Sequence, residues 1–423
     1  MGIETITLGC RLNFAESEMM KQLAGTARNG LHGPAAGSDT IIVNSCAVTG
    51  EAVRQTRQAI RRAKRARPTA AIIVTGCAAQ LDPHPFAAMP EVDRVIGNAD
   101  KYRRESFFTG AHDGLAKIRV SDVMTAPPPP VAAGFLQRVR SFVAVQTGCD
   151  HRCTFCTIWA ARGPSFSLPY VAVCAAVERE LAAGAKEIVL TGVDITSYVD
   201  PARGGTESGL GGLCQRLLSD LPRLQRLRLS SLDSIEVDDA LIELFAGEPR
   251  LLPHVHLSLQ AGDDLTLKRM KRRHSRAQAV ALVARLKAAR PDITIGADLI
   301  AGFPTESAQS AANTRALIDD CDVIAAHIFP FSARPGTPAA RMPQLPHDVV
   351  KARAALLRGA AAAKREAWLA GLVGTRHRVL IENGEKGHSD GFAPVRIAGA
   401  ARGALAPALI TATDGDTLIG TFE

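Results

Sequence analysis

Short apolar runs rich in β-branched residues alternate along the chain with longer stretches whose apolar positions recur at helical spacing. Near the start, Ile3 to Leu8, Thr40 to Val43 and Ala71 to Val74 read as strands, because Val, Ile and Thr fit a pleated, buried surface. Glu16 to Leu23 and Glu51 to Arg65 lie between them and are long enough for helices. This βαβ succession predicts a parallel sheet. It resumes further on, with candidate strands Phe142 to Gln146, Glu187 to Leu190, Arg226 to Leu229, Val255 to Leu259, Thr294 to Leu299 and Val323 to Phe329. About six βα units predict a full or partial barrel. An Ala-rich helical stretch, Val349 to Leu369, gives way near Gly371 to short strand-like pieces such as Arg378 to Ile381. These are punctuated by Asn383-Gly384 and Asp414-Gly415 and predict a small β-module. The four prolines Pro127 to Pro130 favour extended, semi-rigid backbone. The expected organisation is α/β: a parallel sheet domain at 1–125, a linker at 126–134, a barrel domain at 135–370 and a β-module at 371–423.

Length and composition sharpen this only slightly. At about 150 residues per domain, 423 residues make between two and three domains. Hydrophobic residues at 46% and charged residues at 22% exclude a mainly disordered or collagen-like chain. Lys and Arg outnumber Asp and Glu by 50 to 42, which leans toward an anionic partner. The first residues lack a basic segment followed by an apolar core, and no run of about 20 apolar residues occurs. A cytoplasmic protein with neither export signal nor membrane span is expected.

The nine cysteines change the picture more. They are too sparse for a disulfide scaffold, and an odd number leaves at least one unpaired. Each early strand runs directly into a thiol, at Cys10, Cys46 and Cys77. Ligands bind at the carboxyl edge of open α/β sheets, so these three should converge. In the barrel region, strand ends carry Cys149, Thr191 with Asp194, Ser230 and Ser231, Gln260, Asp298 and His327. Cys149, Cys153 and Cys156 form a C-x3-C-x2-C motif. A four-iron cluster ordinarily takes four thiolates, so three from one loop leave an iron open to a substrate or cofactor. Zinc is the rival, since Cys3His sites exist and His151 lies inside the loop. His151 itself reads as a solvated loop residue. Cys174, Cys214 and Cys321 stand alone and read as core thiols.

At these motifs the chain resembles the radical S-adenosylmethionine (radical SAM) enzymes, and among them the methylthiotransferases. The resemblance rests on Leu8-Gly9-Cys10-Arg11-Leu12-Asn13, Val43-Asn44-Ser45-Cys46, Val74-Thr75-Gly76-Cys77, Gly148-Cys149 through Phe155-Cys156, and Leu190-Thr191-Gly192-Val193-Asp194. It continues at Leu259-Gln260-Ala261-Gly262, Gly296-Ala297-Asp298 through Gly302-Phe303-Pro304, and Phe329-Pro330-Phe331-Ser332-Ala333-Arg334-Pro335-Gly336-Thr337. It implies an N-terminal methylthiotransferase domain, a central radical SAM partial (β/α) barrel and a small C-terminal β-barrel similar to the RNA-binding TRAM module. It also implies two 4Fe-4S clusters and S-adenosyl-L-methionine. Cys149, Cys153 and Cys156 would hold the radical-generating cluster, and Cys10, Cys46 and Cys77 an auxiliary cluster that carries the sulfur to be inserted. Phe155 matches an aromatic packed near the adenine of the cofactor. Thr191, Gly192 and Asp194 match the region meeting its methionine end, and Ser230, Gln260 and Asp298 would line the same pocket. No side chain is assigned as a catalytic acid or base.

Two basic runs favour RNA. Arg54 to Arg67 carries seven Lys or Arg and no acid, and Lys268 to Arg276 carries six and no acid. Thr191-Gly192-Val193-Asp194-Ile195 and Leu229-Ser230-Ser231-Leu232-Asp233 look like the branch acting on N6-threonylcarbamoyladenosine in tRNA. The resemblance therefore implies a tRNA anticodon stem-loop as substrate, methylthiolated at C2 of adenosine 37, with a reducing electron donor and a sulfur source as further partners. Isopentenyladenosine in tRNA and an aspartate side chain of a ribosomal protein are the alternative substrates. A non-catalytic Fe–S or zinc RNA-binding protein is the alternative of another class. The chain departs from the family after Cys156. It reads Thr157-Ile158-Trp159-Ala160-Ala161-Arg162-Gly163-Pro164 where Ile-Pro and an Arg-rich, Ser-rich stretch are usual.

Overall fold

The computed structural model describes residues 2–28, 39–107, 116–132, 139–203 and 209–423. The first part is a parallel sheet in the order β1 to β5. It comprises β1 (Ile3–Thr7), β2 (Thr40–Ser45), β3 (Ala71–Gly76), β4 (Arg94–Ile96) and β5 (Ile118–Arg119). The last two strands are too short to stand out as apolar runs. Helices α1 (Arg11–Arg28) and α2 (Gly50–Ala66) join the first three strands, and every residue of β2 is buried, as a strand covered on both faces requires. Thr49 caps α2 by accepting the Ala52 N–H, and Thr56, Ile60 and Ala63 form its buried stripe. The short helices α3 (Cys77–Leu81) and α4 (His84–Ala87) follow β3.

The second part is an open barrel. Its principal strands are β6 (Arg140–Ala144), β9 (Glu187–Thr191), β10 (Leu227–Leu229), continued after Ser230 by β11 (Ser231–Leu232), β12 (His254–Gln260), β13 (Thr294–Ala301) and β14 (Val323–Pro330). All pair in parallel, as β10-β9-β6 and β11-β12-β13-β14. Of the two forms expected, the partial barrel is the one formed. A small pair, β7 (Gln146–Thr147) with β8 (Phe166–Ser167), brackets the thiol loop and α5 (Ile158–Arg162). Helices α6 (Tyr170–Ala182), α7 (Leu210–Asp220), α8 (Asp239–Gly247), α9 (Asp264–Met270), α10 (Arg276–Ala289), α11 (Ala308–Asp320) and α12 (His347–Gly371) make the connections and the outer layer. Pro127 to Pro129 do not hang free: with Tyr102, Met124 and Arg162 they wall a cavity of about 220 Å³ between sheet and barrel. Residues 133–134, the end of the expected linker, lie outside the described residues.

The third part is a closed five-stranded barrel of β15 (Arg376–Asn383), β16 (Lys386–Ser389), β17 (Pro394–Ile397), β18 (Leu405–Asp414) and β19 (Thr417–Phe422). Gly384 and Gly415, at φ +57° and +60°, turn its two tight hairpins in the left-handed region that glycine enters without strain. Its β16–β17 loop plugs the amino end of the larger barrel. Phe392 lies under the guanidinium groups of Arg140 and Arg228, at 5.1 and 4.6 Å from ring centre to Cζ. Asp390 pairs with Arg226 and Arg378, and Thr294 Oγ1 donates to the Gly391 carbonyl at 2.8 Å. Glu187 gathers Arg140, Arg226 and Arg228 at 2.6 to 2.9 Å in the same layer. Burial alone would raise the Glu187 pKa, but the three guanidinium groups hold it well below the usual carboxylate range.

Candidate functional site

The loop after β7 carries Cys149, Cys153 and Cys156. It enters through Gly148 at φ +72°, where a Cβ would sit 1.8 Å from the Pro164 carbonyl oxygen, so only glycine allows this approach. Cys149 N donates to the Gly163 carbonyl (3.1 Å) and Cys156 N to that of Cys153 (3.0 Å), while Thr154 ties the loop to the end of α9 through Met270 and Arg269. N–H groups face two of the sulfurs: Ile158 N lies 3.4 Å from Cys156 Sγ and Arg272 Nη1 3.7 Å from Cys153 Sγ. Burial pushes the Cys149 and Cys156 thiols up to about 12 and about 11, with the neighbouring thiols adding to it. Such a set becomes thiolate when a cation sits among the sulfurs.

The second set is assembled by strand order. Cys10 follows β1, Cys46 follows β2 and Cys77 opens the helix after β3, all at the carboxyl edge. Gly9 lies so close to Cys46 that a Cβ would be 2.9 Å from its Sγ. Burial raises the Cys46 pKa to about 12, with Cys77 and Cys10 adding and the Arg162 charge opposing. Cys10 is exposed at the surface, yet desolvation by the surrounding protein also raises its pKa. The two sets adjoin, since Cys77 packs in one cluster with Ile158 and Ala161 of α5, which follows Cys156. Asn98 Nδ2 lies 3.8 Å from Cys77 Sγ, and Cys10 Sγ 3.9 Å from Asn13 Oδ1.

A buried charge network lies behind these thiols. Arg162 reaches across from α5 to Glu16 (2.7 Å) and Asn13 (2.7 Å), and Lys101 meets Glu16 at 2.6 Å. Desolvation would raise the Glu16 pKa, but Arg162 and Lys101 bring it down to about 2. The departure of the chain after Cys156 thus supplies a buried tie between the two domains. Sequence reasoning also missed Gln146. Its Oε1 accepts the N–H groups of Val193 (3.0 Å) and Asp194 (2.9 Å), and its Nε2 donates to the Gly148 carbonyl at 2.8 Å. One buried amide therefore joins the thiol loop to the strand end carrying Thr191, Gly192 and Asp194; its signal was a glutamine ending an otherwise apolar strand.

The remaining residues singled out in the sequence fall into two groups. Thr191, Asp194 and Ser230 are buried at neighbouring strand ends, and a Cβ on Gly192 would be 2.7 Å from the Gln146 carbonyl oxygen. Gln260 ends β12 at φ +66°, and Phe155 packs against the cluster containing Ala261, Met270 and Phe303. Asp298 stands apart on β13, where its Oδ1 meets His256 Nε2 at 2.9 Å and His327 Nδ1 at 3.1 Å. Those imidazoles outweigh burial and hold its pKa well below the usual range.

Two expectations need correction. His151 is not a solvated loop residue: it is nearly buried, with Asp194 at 3.0 Å, Glu236 at 3.5 Å and Asp233 at 3.6 Å. A hydrogen bond to Glu236 raises its pKa against desolvation. The second basic run is only partly a free surface. Arg272 and Arg273 pair with Asp233 at 3.0 and 3.4 Å, and Arg276 bonds the Gly262 and Asn313 carbonyls and Asp320. On α2, by contrast, Arg61, Arg62 and Arg65 are exposed. Cys214 and Cys321 are core thiols as expected, and Cys174 packs against the same core.

Residues 3–97 match a family described as Uncharacterized protein family UPF0004, and residues 143–318 match the Radical SAM superfamily. A Rickettsia prowazekii protein named threonylcarbamoyladenosine tRNA methylthiotransferase MtaB is 43% identical over 93% of this chain and 91% of its own. This chain belongs to the radical SAM methylthiotransferases. A Bacillus subtilis protein also named MtaB is 33% identical over 82% of this chain and 76% of its own. A Cereibacter sphaeroides tRNA-2-methylthio-N(6)-dimethylallyladenosine synthase is 34% identical over 98% of this chain and 97% of its own. Among solved structures, the radical SAM methyltransferase TsrM from Kitasatospora setae, with cobalamin and a 4Fe-4S cluster bound, matches 80% of this methylthiotransferase and 77% of its own chain, with a TM-score of 0.56 at 14% identity. At that identity the likeness concerns the fold. Among the described residues no helix is long and apolar enough to cross a membrane.

Proposed function

We propose that the protein methylthiolates N6-threonylcarbamoyladenosine at position 37 of tRNA, at C2 of the base. The observation that carries this is the adjoining pair of three-thiol sets at one domain junction, in a chain 43% identical to a relative named for that substrate. Cys149, Cys153 and Cys156 would hold a 4Fe-4S cluster beside bound S-adenosylmethionine, and Cys10, Cys46 and Cys77 an auxiliary one. The donor chemistry fits: six free thiols in two groups, with an N–H of the protein at Cys77, Cys153 and Cys156. The chemistry these groups supply when bound is a carbon-centred radical and the sulfur for insertion. The chain supplies placement. Gln146 orients the Val193–Asp194 backbone, Thr191, Gly192, Ser230 and Gln260 shape the strand-end pocket, and Asp194, held between His151 and Thr196, would face the methionine end of the cofactor. Phe155 would pack beside the adenine. The Glu16–Arg162 tie keeps the two thiol sets in register.

In this reading 1–125 is the methylthiotransferase domain, 126–134 the linker, 135–370 the radical SAM domain and 371–423 the TRAM-like module. The Arg61, Arg62 and Arg65 face would meet tRNA phosphates in the cytoplasm, where an electron donor and a sulfur source complete the system. Anaerobically reconstituted protein is expected to carry roughly eight irons and to add a 2-methylthio group to tRNA bearing N6-threonylcarbamoyladenosine. Product only from dimethylallyladenosine tRNA or from a ribosomal protein would replace the substrate, and one zinc without iron would remove the reading altogether.

A further inference from the structure

Arg11 directly follows Cys10 and opens α1, but its guanidinium leaves the sheet domain and enters the barrel. Its Nη1 lies 3.5 Å from the Leu229 carbonyl oxygen, and its Cζ 5.8 Å from the centre of the Phe392 ring. The charges that act on it are those of Arg140, Arg228, Glu187 and Asp298, contributed by four different barrel strands. Among the described residues it forms no ion pair, and that one long hydrogen bond leaves most of its five donors uncommitted. Other arginines of the interior behave differently: Arg140, Arg226 and Arg228 each meet Glu187 within 3 Å. A planar fork of donors inside the barrel is suited to a carboxylate.

A second group lies in the same barrel interior: the Phe392 ring beside Arg11 is 5.0 Å from that of His254, which shares one face of β12 with His256. His256 and His327 both bind Asp298 Oδ1, with ring centres 4.7 Å apart. His327 has 64% of its side chain exposed. In the tautomer that donates Nδ1–H to Asp298, the His327 ring presents Nε2 as an acceptor. The pair therefore offers a cationic fork and a ring-nitrogen acceptor, whereas a purely aliphatic substituent would need neither. The threonylcarbamoyl group carries one carboxylate and one hydroxyl.

We propose that Arg11 and the Asp298-bound His327 form the subsite that reads the amino-acid end of the N6 substituent, Arg11 taking the carboxylate and His327 Nε2 the hydroxyl. This rests on the substrate reading above and deepens it to the residues that distinguish an anionic N6 chain from an apolar one. The test uses reconstituted full-length protein, the variants Arg11→Gln, Arg11→Lys and His327→Phe, and two tRNAs. One bears N6-threonylcarbamoyladenosine, and the other the same group with its carboxylate converted to the uncharged amide. Arg11→Gln at wild-type iron content is expected to lower kcat/KM for the first tRNA roughly 10- to 100-fold, mainly through KM, the size of a lost charge-assisted hydrogen bond. On the amide its effect should be within about threefold, because the partner is already gone. Arg11→Lys should recover part of the loss. His327→Phe should cost about 10-fold on both tRNAs. Equal losses for Arg11→Gln on both tRNAs, or no loss with either variant, would overturn the subsite while leaving the function standing. Wild-type protein that leaves the first tRNA unmodified would overturn the function, and the subsite with it.

Discussion

The two thiol sets each present three sulfurs, by opposite routes. Cys149, Cys153 and Cys156 sit within one loop, fastened by the Gly148 approach to Pro164, the Thr154 bonds to α9 and the Gln146 amide, with His151 and Arg272 adding charged contacts at its edge. Cys10, Cys46 and Cys77 come from three strand ends, and behind them lies the buried cluster of Glu16, Lys101 and Arg162. A loop can hold its ligands by turn geometry alone. A set spread over a sheet depends on the domain junction staying closed, and here charge closes it.

Single-thiol removal separates the two most sharply. Cys153→Ala is expected to abolish S-adenosylmethionine cleavage, whereas Cys46→Ala should retain cleavage and lose sulfur insertion, read by chromatography of 5′-deoxyadenosine alongside nucleoside mass spectrometry. Equal loss of cleavage in both would show that the sets do not divide the labour. Next comes the support of each set. Glu16→Ala strands two buried cations and should cost about 3–5 kcal/mol in urea unfolding. Gln146→Ala leaves two backbone N–H groups without their acceptor and should cost about 1–3 kcal/mol.

Acid should tell the same supports apart. The folded pKa of Glu16, about 2, lies below its ordinary value of 4.5, so its contribution is complete above about pH 4.5 and is lost as the pH falls toward 2. Its full size is about 3 kcal/mol by that linkage, and Glu187 shifts in the same direction. The Glu16→Ala variant should therefore show a flatter stability profile between pH 5 and 2 than the parent protein, whereas Gln146→Ala should keep the parent slope. The smallest effect is expected on the surface. Neutralising Arg61, Arg62 and Arg65 together should weaken tRNA binding and reduce the salt slope by up to about one unit per lost phosphate contact. Arg272→Gln should instead disturb the Cys153 loop, because Arg272 is already engaged with Asp233 and the Ser258 carbonyl.

Much of this was open to a reader of the chain. The strands of the sheet and barrel show as β-branched runs because buried parallel strands need continuous apolar sequence, and β4 and β5 do not show because two or three residues make no run. The thiol loop is legible because its ligands are neighbours in sequence. The sheet thiols become legible once each is seen to end a strand, since parallel topology sends all such ends to one edge. His151 and the second basic run went the other way: side-chain type suggested solvent, but carboxylates from distant segments, Asp194, Asp233 and Glu236, were waiting in the fold.

By itself the sequence determined the α/β succession, both sets of three cysteines and the family motifs, because periodicity, strand-end position and tight spacing are local properties. Tertiary structure alone decided which arginines are consumed in buried pairs, that Arg11 enters the barrel with no ion pair among the described residues, and how the C-terminal loop plugs the amino end. Those outcomes depend on charges brought together from positions far apart in the chain, and the energy of a charge depends on its surroundings in space.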